Sequence, residues 1–340
     1  DIFSAKLGLA AREILLPKLE AMGHDYVILP VDATVSGSVD NYDDGKKCAR
    51  LFSENRDKID GVIIVLPNFS NELGIVNAIK LANLNVPIMV QAMDDDNDKV
   101  DVYSRRDAFC GKISVCNNFY QYGIPFTDTT FHTYPLDSEM FENDVKKFAS
   151  VCRVVNGLRN ARIGAIGARP AAFQTVRASE KILQASGITV VTVDLSEILG
   201  AANKVNLQSA ELKWKLAEIK DYGKIATTVH EDKIIRQAKF GLAVENWIAA
   251  NEIDASTIEC WDSLQHNYGC ASCLTMSMLG EKLMPSACEV DIAGAVSMYT
   301  LFMDGVKEHD LITGIKNYET ALKKSVLPNS AKMRKAYLKN

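Results

Sequence analysis

Short, uniformly apolar segments alternate along the chain with segments whose apolar residues recur every three or four positions. The first pattern predicts buried strands and the second predicts amphipathic helices. In the N-terminal half, we predict strands at 25–30, 61–66 and 86–90 and helices over 4–22, 44–55 and 71–84. Apolar strands separated by helices are typical of a parallel sheet that is covered on both faces.

A long amphipathic helix, predicted over 138–157, leads into a second series of the same kind. Strands are predicted at 162–166, 189–193 and 256–260, with helices ending at Gly187 and over 209–219, 232–252 and 271–279, before a mixed segment at 286–300. We therefore predict an α/β protein with two doubly wound, Rossmann-like parallel-sheet domains, residues 1–145 and 146–301. A polar, helical tail is predicted for residues 302–340.

Composition and charge exclude several classes of protein. The 340 residues carry a formal net charge of −5 without a basic block, which argues against a nucleic-acid partner. No window reaches the roughly 18 consecutive apolar residues of a membrane helix, so no membrane partner is expected. The start at Asp1 does not resemble a secretory leader, and eight scattered cysteines fit reduced thiols. We expect a cytoplasmic protein.

One pair of cysteines, Cys270 and Cys273, has the spacing of a zinc-binding pair. No second pair accompanies it, and His266 supplies a third ligand at most. We interpret both as reduced, mostly buried thiols on a helix.

Three other motifs allow a functional and a structural interpretation. The acidic run Asp94–Asp98 lacks the glycine and the closing glutamate of a calcium-binding loop, so we interpret it as a solvated loop. The Gly164–Gly167 segment lacks the third glycine of a dinucleotide fingerprint, so no nicotinamide cofactor is expected. Arg169 and Pro170 are predicted to open a helix that meets an anion or a sugar hydroxyl, and a plain turn is an equally good interpretation.

The richest candidate chemistry lies between residues 258 and 298. Glu259 and Trp261 end a predicted strand, where open α/β sheets bind ligands, and Glu289 and Asp291 lie in a small, apolar segment. Carboxylates are costly to bury unless something pairs with them. A metal ligand and a general acid or base both satisfy that cost, and a helix-capping carboxylate is an equally good alternative.

Several stretches resemble the L-fucose isomerase-related branch of the L-fucose/L-arabinose isomerase family. They are 61–69, 108–118, 152–177 and 285–291, and the resemblance extends over about residues 1–301. It implies two Rossmann-like domains and a third, C-terminal domain, assembled as a homo-oligomer, either a trimer or a hexamer. It also implies the isomerisation of a small-molecule sugar, of the L-fucose, D-arabinose or L-arabinose type, between aldose and ketose through an ene-diol.

The resemblance also implies roles for individual residues. Glu289 corresponds to the family's first metal-binding carboxylate, which is also one of its acid/base pair. Glu259 and Trp261 correspond to residues beside the substrate, and relatives tend to have Gln at the position of Glu259. The Arg169–Pro170 loop corresponds to a loop that borders the substrate. Asn68 and Phe69 correspond to a loop that reaches the sugar of a neighbouring subunit. The implied cofactor is Mn²⁺ or Mg²⁺, with no organic cofactor.

The chain departs from the family pattern at both ends. The family's second carboxylate and its metal-binding His have no counterpart, because the resemblance stops at Leu301. Beyond that residue, Asp304, His309 and Asp310 match no motif of the family. The first strand of the N-terminal domain is expected to be absent ahead of Asp1. Whether the chain is a fragment, an incomplete gene product or a degenerate paralogue therefore stays open. The alternative function is a non-catalytic sugar-binding or assembly protein, and a periplasmic-type binding protein is a weaker third.

Overall fold

The computed structural model describes residues 6–304. The chain divides into two units at the bond between Asn156 and Gly157. The predicted helical tail lies outside the described residues from residue 305 onward. Among the helices that are described, none is both long and apolar enough to cross a bilayer.

Unit 1 contains a parallel three-stranded sheet in the order β1-β2-β3. The strands are β1 (Val62–Leu66), β2 (Ile88–Ala92) and β3 (Thr127–Asp128). The helices are α1 (Lys6–Ala21), α2 (Tyr42–Glu54), α3 (Glu72–Ala82), α4 (Ala108–Gln121) and α5 (Glu139–Arg159), the last of which contains the boundary. All five residues of β2 are buried, as expected for a central strand with neighbours on both edges.

Asparagine side chains determine where two of these helices begin. Asn41 accepts a hydrogen bond from the backbone N–H of Asp44, and Asn71 accepts one from the N–H of Gly74. Each satisfies a donor that has no partner within its own helix. This local chemistry explains why the predicted starts of α2 and α3 lie within two residues of the observed ones.

The strand predicted at 25–30 is wrong, because this segment has no regular secondary structure. None of its residues is buried, and the carbonyl of Leu29 accepts a hydrogen bond from Arg12 instead of joining a sheet. A short apolar run indicates that a segment can form a strand. Whether a sheet edge is free to pair with that strand depends on residues far away in the sequence. The sequence analysis also missed α4 and β3.

Unit 2 contains a parallel four-stranded sheet in the order β5-β4-β6-β7. The strands are β4 (Arg162–Ile166), β5 (Thr189–Val193), β6 (Ala255–Ile258) and β7 (Ser286–Cys288). The helices are α6 (Glu180–Ala185), α7 (Leu195–Lys204), α8 (Ala210–Tyr222), α9 (Glu231–Ala250), α10 (Cys273–Glu281) and α11 (Ile292–Met303). Parallel sheets connected by helices confirm the predicted α/β class.

The order of the second sheet creates a switch point between β4 and β6. From β4, the chain moves to one side to form β5 and then returns to the other side to form β6 and β7. The loops that leave β4 and β6 therefore diverge, which opens a crevice at the carboxyl ends of these strands. Residues directly after β4, β6 and β7 border this edge of the sheet.

The helix predicted to open at Arg169 and Pro170 is wrong. Residues 168–173 are irregular apart from a turn at 171–172, and the next α-helix is the short α6, which begins at Glu180. Proline at a first helical position is favourable, but it also suits an ordinary turn, so the residue type did not distinguish the two. Helix α7 was not predicted.

Candidate functional site

Two glutamates follow adjacent strands of the second sheet and extend its hydrogen-bonding pattern by one residue. The backbone N–H of Glu259, after β6, donates to the carbonyl of Ile166 in β4 at 2.8 Å. The N–H of Glu289, after β7, donates to the carbonyl of Ile258 in β6 at 3.0 Å. The sheet therefore brings both glutamates to its carboxyl edge, with Glu259 at the switch point and Glu289 one strand further along.

The Glu259 side chain is held by the turn that follows β4. Its Oε2 atom accepts a hydrogen bond of 2.8 Å from the backbone N–H of Ala168. Gly167 has a φ of +87°, and a Cβ atom at this position would overlap the Glu259 side chain. A glycine is needed for both reasons, since L-residues rarely adopt this φ and the carboxylate occupies the space.

Glu289 and Val290 have an unusual backbone conformation. Both lie in the left-handed region, with φ values of 61° and 56°. This region is unfavourable for non-glycine residues and most of all for a β-branched one, at about 1–3 kcal/mol for each residue. Val290 is buried in a core cluster, so packing helps to maintain the strained turn. Such strain at a ligand-binding edge supports a functional hypothesis for Glu289.

The Glu289 carboxylate is only partly satisfied. Its Oε1 atom accepts a hydrogen bond of 3.3 Å from the Cys288 thiol, while Oε2 is buried without a hydrogen-bond partner among the described residues. Burial raises the pKa of Glu289, and the nearby Cys260 and Glu259 raise it further, against hydrogen bonds from the Cys288 thiol and the Trp261 backbone, which lower it. A carboxyl group with a raised pKa and a free oxygen is suited to general acid or base chemistry.

Asp291 has the structural role that was left open for this segment. Its Oδ1 atom accepts a hydrogen bond of 2.8 Å from the N–H of Gly294, so Asp291 caps the N-terminus of α11. The capping interpretation therefore applies to Asp291. Glu289 lies two residues before the cap and makes no such bond among the described contacts.

An aromatic pair borders the same edge of the sheet. Trp261 is 53% exposed and stacks on Phe173, with ring centroids 5.5 Å apart and an interplanar angle of 16°. Arg169 holds the loop of Phe173 in place, because its guanidinium donates to the carbonyls of Pro170 and Phe173 at 2.9 and 3.0 Å. The pair offers an exposed apolar face beside polar groups, which is the usual composition of a small-molecule site.

Asn68 and Phe69 belong to unit 1, where they follow β1. The backbone N–H of Phe69 donates to the carbonyl of Arg106, and the side chain is 36% exposed. Gly111 of α4 packs closely against the backbone of Phe69 and Ser70. The loop thus has a defined conformation at the carboxyl end of its strand within unit 1.

The sequence analysis missed the grouping of three cysteines at the edge of the second sheet. The Sγ atoms of Cys260 and Cys288 and a carboxylate oxygen of Glu289 all lie within 4.8 Å of one another. Cys273 Sγ lies 4.0 Å from Cys260 Sγ. Hydrogen bonds from Cys273 and Cys288 lower the pKa of the Cys260 thiol. A signal was present, because Cys260 follows Glu259 directly and Cys288 directly precedes Glu289.

Cys270 and Cys273 are free thiols in the structure, and both are half-buried. Cys273 is the first residue of α10, whereas Cys270 lies before the helix. Burial raises the pKa of Cys270 to about 12, so this thiol is protonated at neutral pH. The prediction of mostly buried thiols on one helix is thus too simple.

Fold and site together define a class: an α/β protein whose second parallel sheet has a strained carboxyl group and an aromatic pair at its carboxyl edge. Residues 1–159 match the family described as "Fucose/sulfoquinovose isomerase, N-terminal domain". Over this segment the chain is similar to the fucose isomerase-related family, in agreement with the resemblance seen in the sequence.

Curated relatives agree with this assignment. The chain is 29% identical over 168 residues to sulfoquinovose isomerase from Priestia megaterium, which covers 48% of the chain and 36% of the relative. It is 33% identical over 162 residues to the enzyme of that name from Alkalicoccus urumqiensis, covering 46% and 35%. Each match spans little more than a third of the relative's length.

Proposed function

We propose that the chain acts as an aldose–ketose sugar isomerase, with Glu289 as the residue that moves the proton. The observation that carries the proposal is the Glu289 carboxyl group, which has a buried oxygen and a raised pKa at the carboxyl edge of a parallel sheet, one strand from its switch point. The relatives' name, sulfoquinovose isomerase, and the family resemblance support a sugar substrate.

The proposed reaction moves hydrogen between C1 and C2 of an open-chain sugar through an ene-diol. A carboxylate removes the proton from one carbon while the carbonyl oxygen takes up a proton from water, which gives the ene-diol. The carboxyl group, as the acid, then returns its proton to the other carbon while the other hydroxyl oxygen releases a proton to water. Such a group works best when its pKa lies near the working pH, and burial moves the pKa of Glu289 in that direction. Glu259 contributes through its charge, which also raises the pKa of Glu289. Trp261 and the Arg169–Pro170 loop would border the sugar.

The family resemblance implies Mn²⁺ or Mg²⁺ beside Glu289. Hard cations of this kind take about six oxygen ligands, whereas the described cluster around Glu289 offers one carboxylate and the thiols of Cys260 and Cys288. Among residues 6–304, this donor set does not fit Mn²⁺ or Mg²⁺. The proton transfer is therefore assigned to Glu289 without a metal-dependent step.

The remaining features that the resemblance implies complete the proposal. They are Rossmann-like architecture in both units, a homotrimer or homohexamer in the cytoplasm, and a sugar site to which Asn68 and Phe69 of a neighbouring subunit contribute. The Phe69 loop is well placed for contacts of this kind, because its side chain is exposed at a strand end. Measurement of the mass in solution tests the assembly.

The test compares the protein with Glu289→Gln and with a control, Glu281→Gln, at the exposed end of α10. Ketose formation is measured from sulfoquinovose, L-fucose, D-arabinose and L-arabinose, with and without added Mn²⁺. A general acid or base contributes about 10²–10⁴-fold, so Glu289→Gln is expected to lose at least 10²-fold in kcat while Glu281→Gln keeps it. Turnover that survives Glu289→Gln would contradict the assignment.

A further inference from the structure

Two of the cysteine thiols at the edge of the second sheet are in direct contact. The Sγ atoms of Cys260 and Cys273 lie 4.0 Å apart. Cys260 lies two residues after the end of β6, and Cys273 is the first residue of α10, so this contact joins the sheet to a helix. The proposed isomerase reaction uses neither sulfur atom.

A cavity in unit 2 makes one member of this pair accessible. It has a volume of about 200 Å³, is partly open to solvent, and is lined by residues of α8, α9 and α10, with Cys273 among them. Cys260 is only 5% exposed and contacts Cys273. A water molecule takes up about 30 Å³ in the liquid, so the cavity has room for a molecule the size of hydrogen peroxide. A small oxidant therefore reaches the pair from the Cys273 side.

The structure also indicates which thiols would join. The spacing of Cys270 and Cys273 is that of redox-active cysteine pairs, yet no thiol contact joins these two among residues 6–304. The Sγ atom of Cys288 lies within 4.8 Å of Cys260, but its thiol donates a hydrogen bond to the carboxylate of Glu289. The direct contact therefore favours Cys273 as the partner of Cys260.

We propose that Cys260 and Cys273 form a site of oxidative modification, at which hydrogen peroxide converts the two thiols into a disulfide bond. In the first step, the O–O bond of the peroxide breaks, one sulfur takes up an oxygen atom to become a sulfenic acid, and water leaves. In the second step, the other sulfur attacks the sulfenic sulfur. The S–O bond and the attacking S–H bond break, the S–S bond forms, and a second water leaves. The peroxide gains the two electrons that the thiols lose.

The bond requires a small displacement and connects two parts of unit 2. The S–S distance in a disulfide is about 2.05 Å, so the two Sγ atoms must approach each other by about 2 Å. Cys260 lies between Glu259 and Trp261, so the bridge would tie the strand end that holds these residues to α10. The modification depends on the contact between the thiols and not on the proposed function.

The test treats the reduced protein with hydrogen peroxide, alkylates the remaining thiols and digests the chain with chymotrypsin. This protease cleaves after Trp261 and Tyr268 and so separates Cys260 from Cys273. In the wild-type chain we expect one pair of peptides that is joined through these two cysteines and is lighter by two hydrogen atoms than its parts. Dithiothreitol should restore both thiols, which distinguishes a disulfide from a sulfinic acid.

Cys270→Ser is the matched control, because Cys270 lines the same cavity but lies outside the contact. We expect the bridge to form in Cys270→Ser and in Cys288→Ser. It should be absent from Cys260→Ser and from Cys273→Ser.

Three results on the wild-type chain would overturn the proposal, so a variant that does not fold leaves the test intact. They are a bridge between Cys270 and Cys273, a bridge between Cys260 and Cys288, and a Cys260–Cys273 pair that stays reduced while the exposed thiol of Cys110 is oxidised. No readout uses sugar turnover. A missing bridge therefore contradicts only this proposal, and missing turnover contradicts only the proposed function.

Discussion

A buried lysine in unit 2 provides a sharp test of how charge stabilises the scaffold of the site. Lys215 on α8 has a side chain that is 2% exposed, and its Nζ atom lies 2.7 Å from carboxylate oxygens of both Glu218 and Glu245. Lys282, at the end of α10, bridges the same two glutamates at 2.8 Å, but its side chain is 41% exposed. The two lysines thus share their partners and differ in burial.

The magnitude follows from that difference. At an effective dielectric constant of about 20, a charge pair at 2.7 Å attracts by roughly 6 kcal/mol, and desolvation of the buried ammonium offsets much of the total. Removing one partner of a buried pair costs about 3–5 kcal/mol, because it leaves uncompensated buried charge. An exposed pair contributes about 0.2–1 kcal/mol. We therefore expect Lys215→Met to cost about 3–5 kcal/mol and Lys282→Met less than about 1 kcal/mol.

Tryptophan fluorescence is the right probe for this prediction. Trp214, Trp247 and Trp261 are the three tryptophans of the chain, and all lie in unit 2. Urea unfolding followed by fluorescence therefore reports the free energy of unfolding of that unit. Adding Glu245→Gln to Lys215→Met should restore part of the loss, because it removes one of the facing carboxylates. Equal losses for the two lysine variants would refute the reasoning.

Two further predictions concern other positions. Gly167→Ala should lower the free energy of unfolding by about 1–3 kcal/mol in the same assay, because of the positive φ and the overlap with Glu259. Gly200 has open space around it in α7, so Gly200→Ala should raise the free energy of unfolding by about 0.5–1 kcal/mol. Equal effects of the two substitutions would contradict this prediction. Burial raises the pKa of Asp144 in unit 1, but hydrogen bonds from Thr130 outweigh it, so the folded pKa is lowered. The stabilisation is present above the unfolded pKa of about 3.9 and is lost as the pH falls through the folded value. Unfolding followed by circular dichroism should show an Asp144→Asn deficit that is constant near neutral pH and shrinks below about pH 4, and a deficit that grows in acid would contradict the prediction.

The predicted strands of the second sheet show how much secondary structure follows from the local pattern of apolar residues. The prediction for β4, residues 162–166, coincides with the observed strand, as does that for β5, residues 189–193. Both are short runs of mainly apolar or β-branched residues between helices, and the tendency of such a run to form a strand depends mainly on its own composition. The segment 25–30 has a similar pattern and forms no strand, because a strand also needs a partner edge that distant residues supply.

The sequence by itself determined the α/β class and the candidate carboxylates, since Glu259 lies at the end of a predicted strand and Glu289 in a small, apolar segment. Only the tertiary structure decided which strand ends meet. The order β5-β4-β6-β7 places Gly167 and Ala168 against Glu259 and aligns Cys288 with the end of β6. Strand order, left-handed turns and the grouping of thiols arise from pairing between residues tens of positions apart, and a pattern with a period of two or four residues contains no information about such pairing.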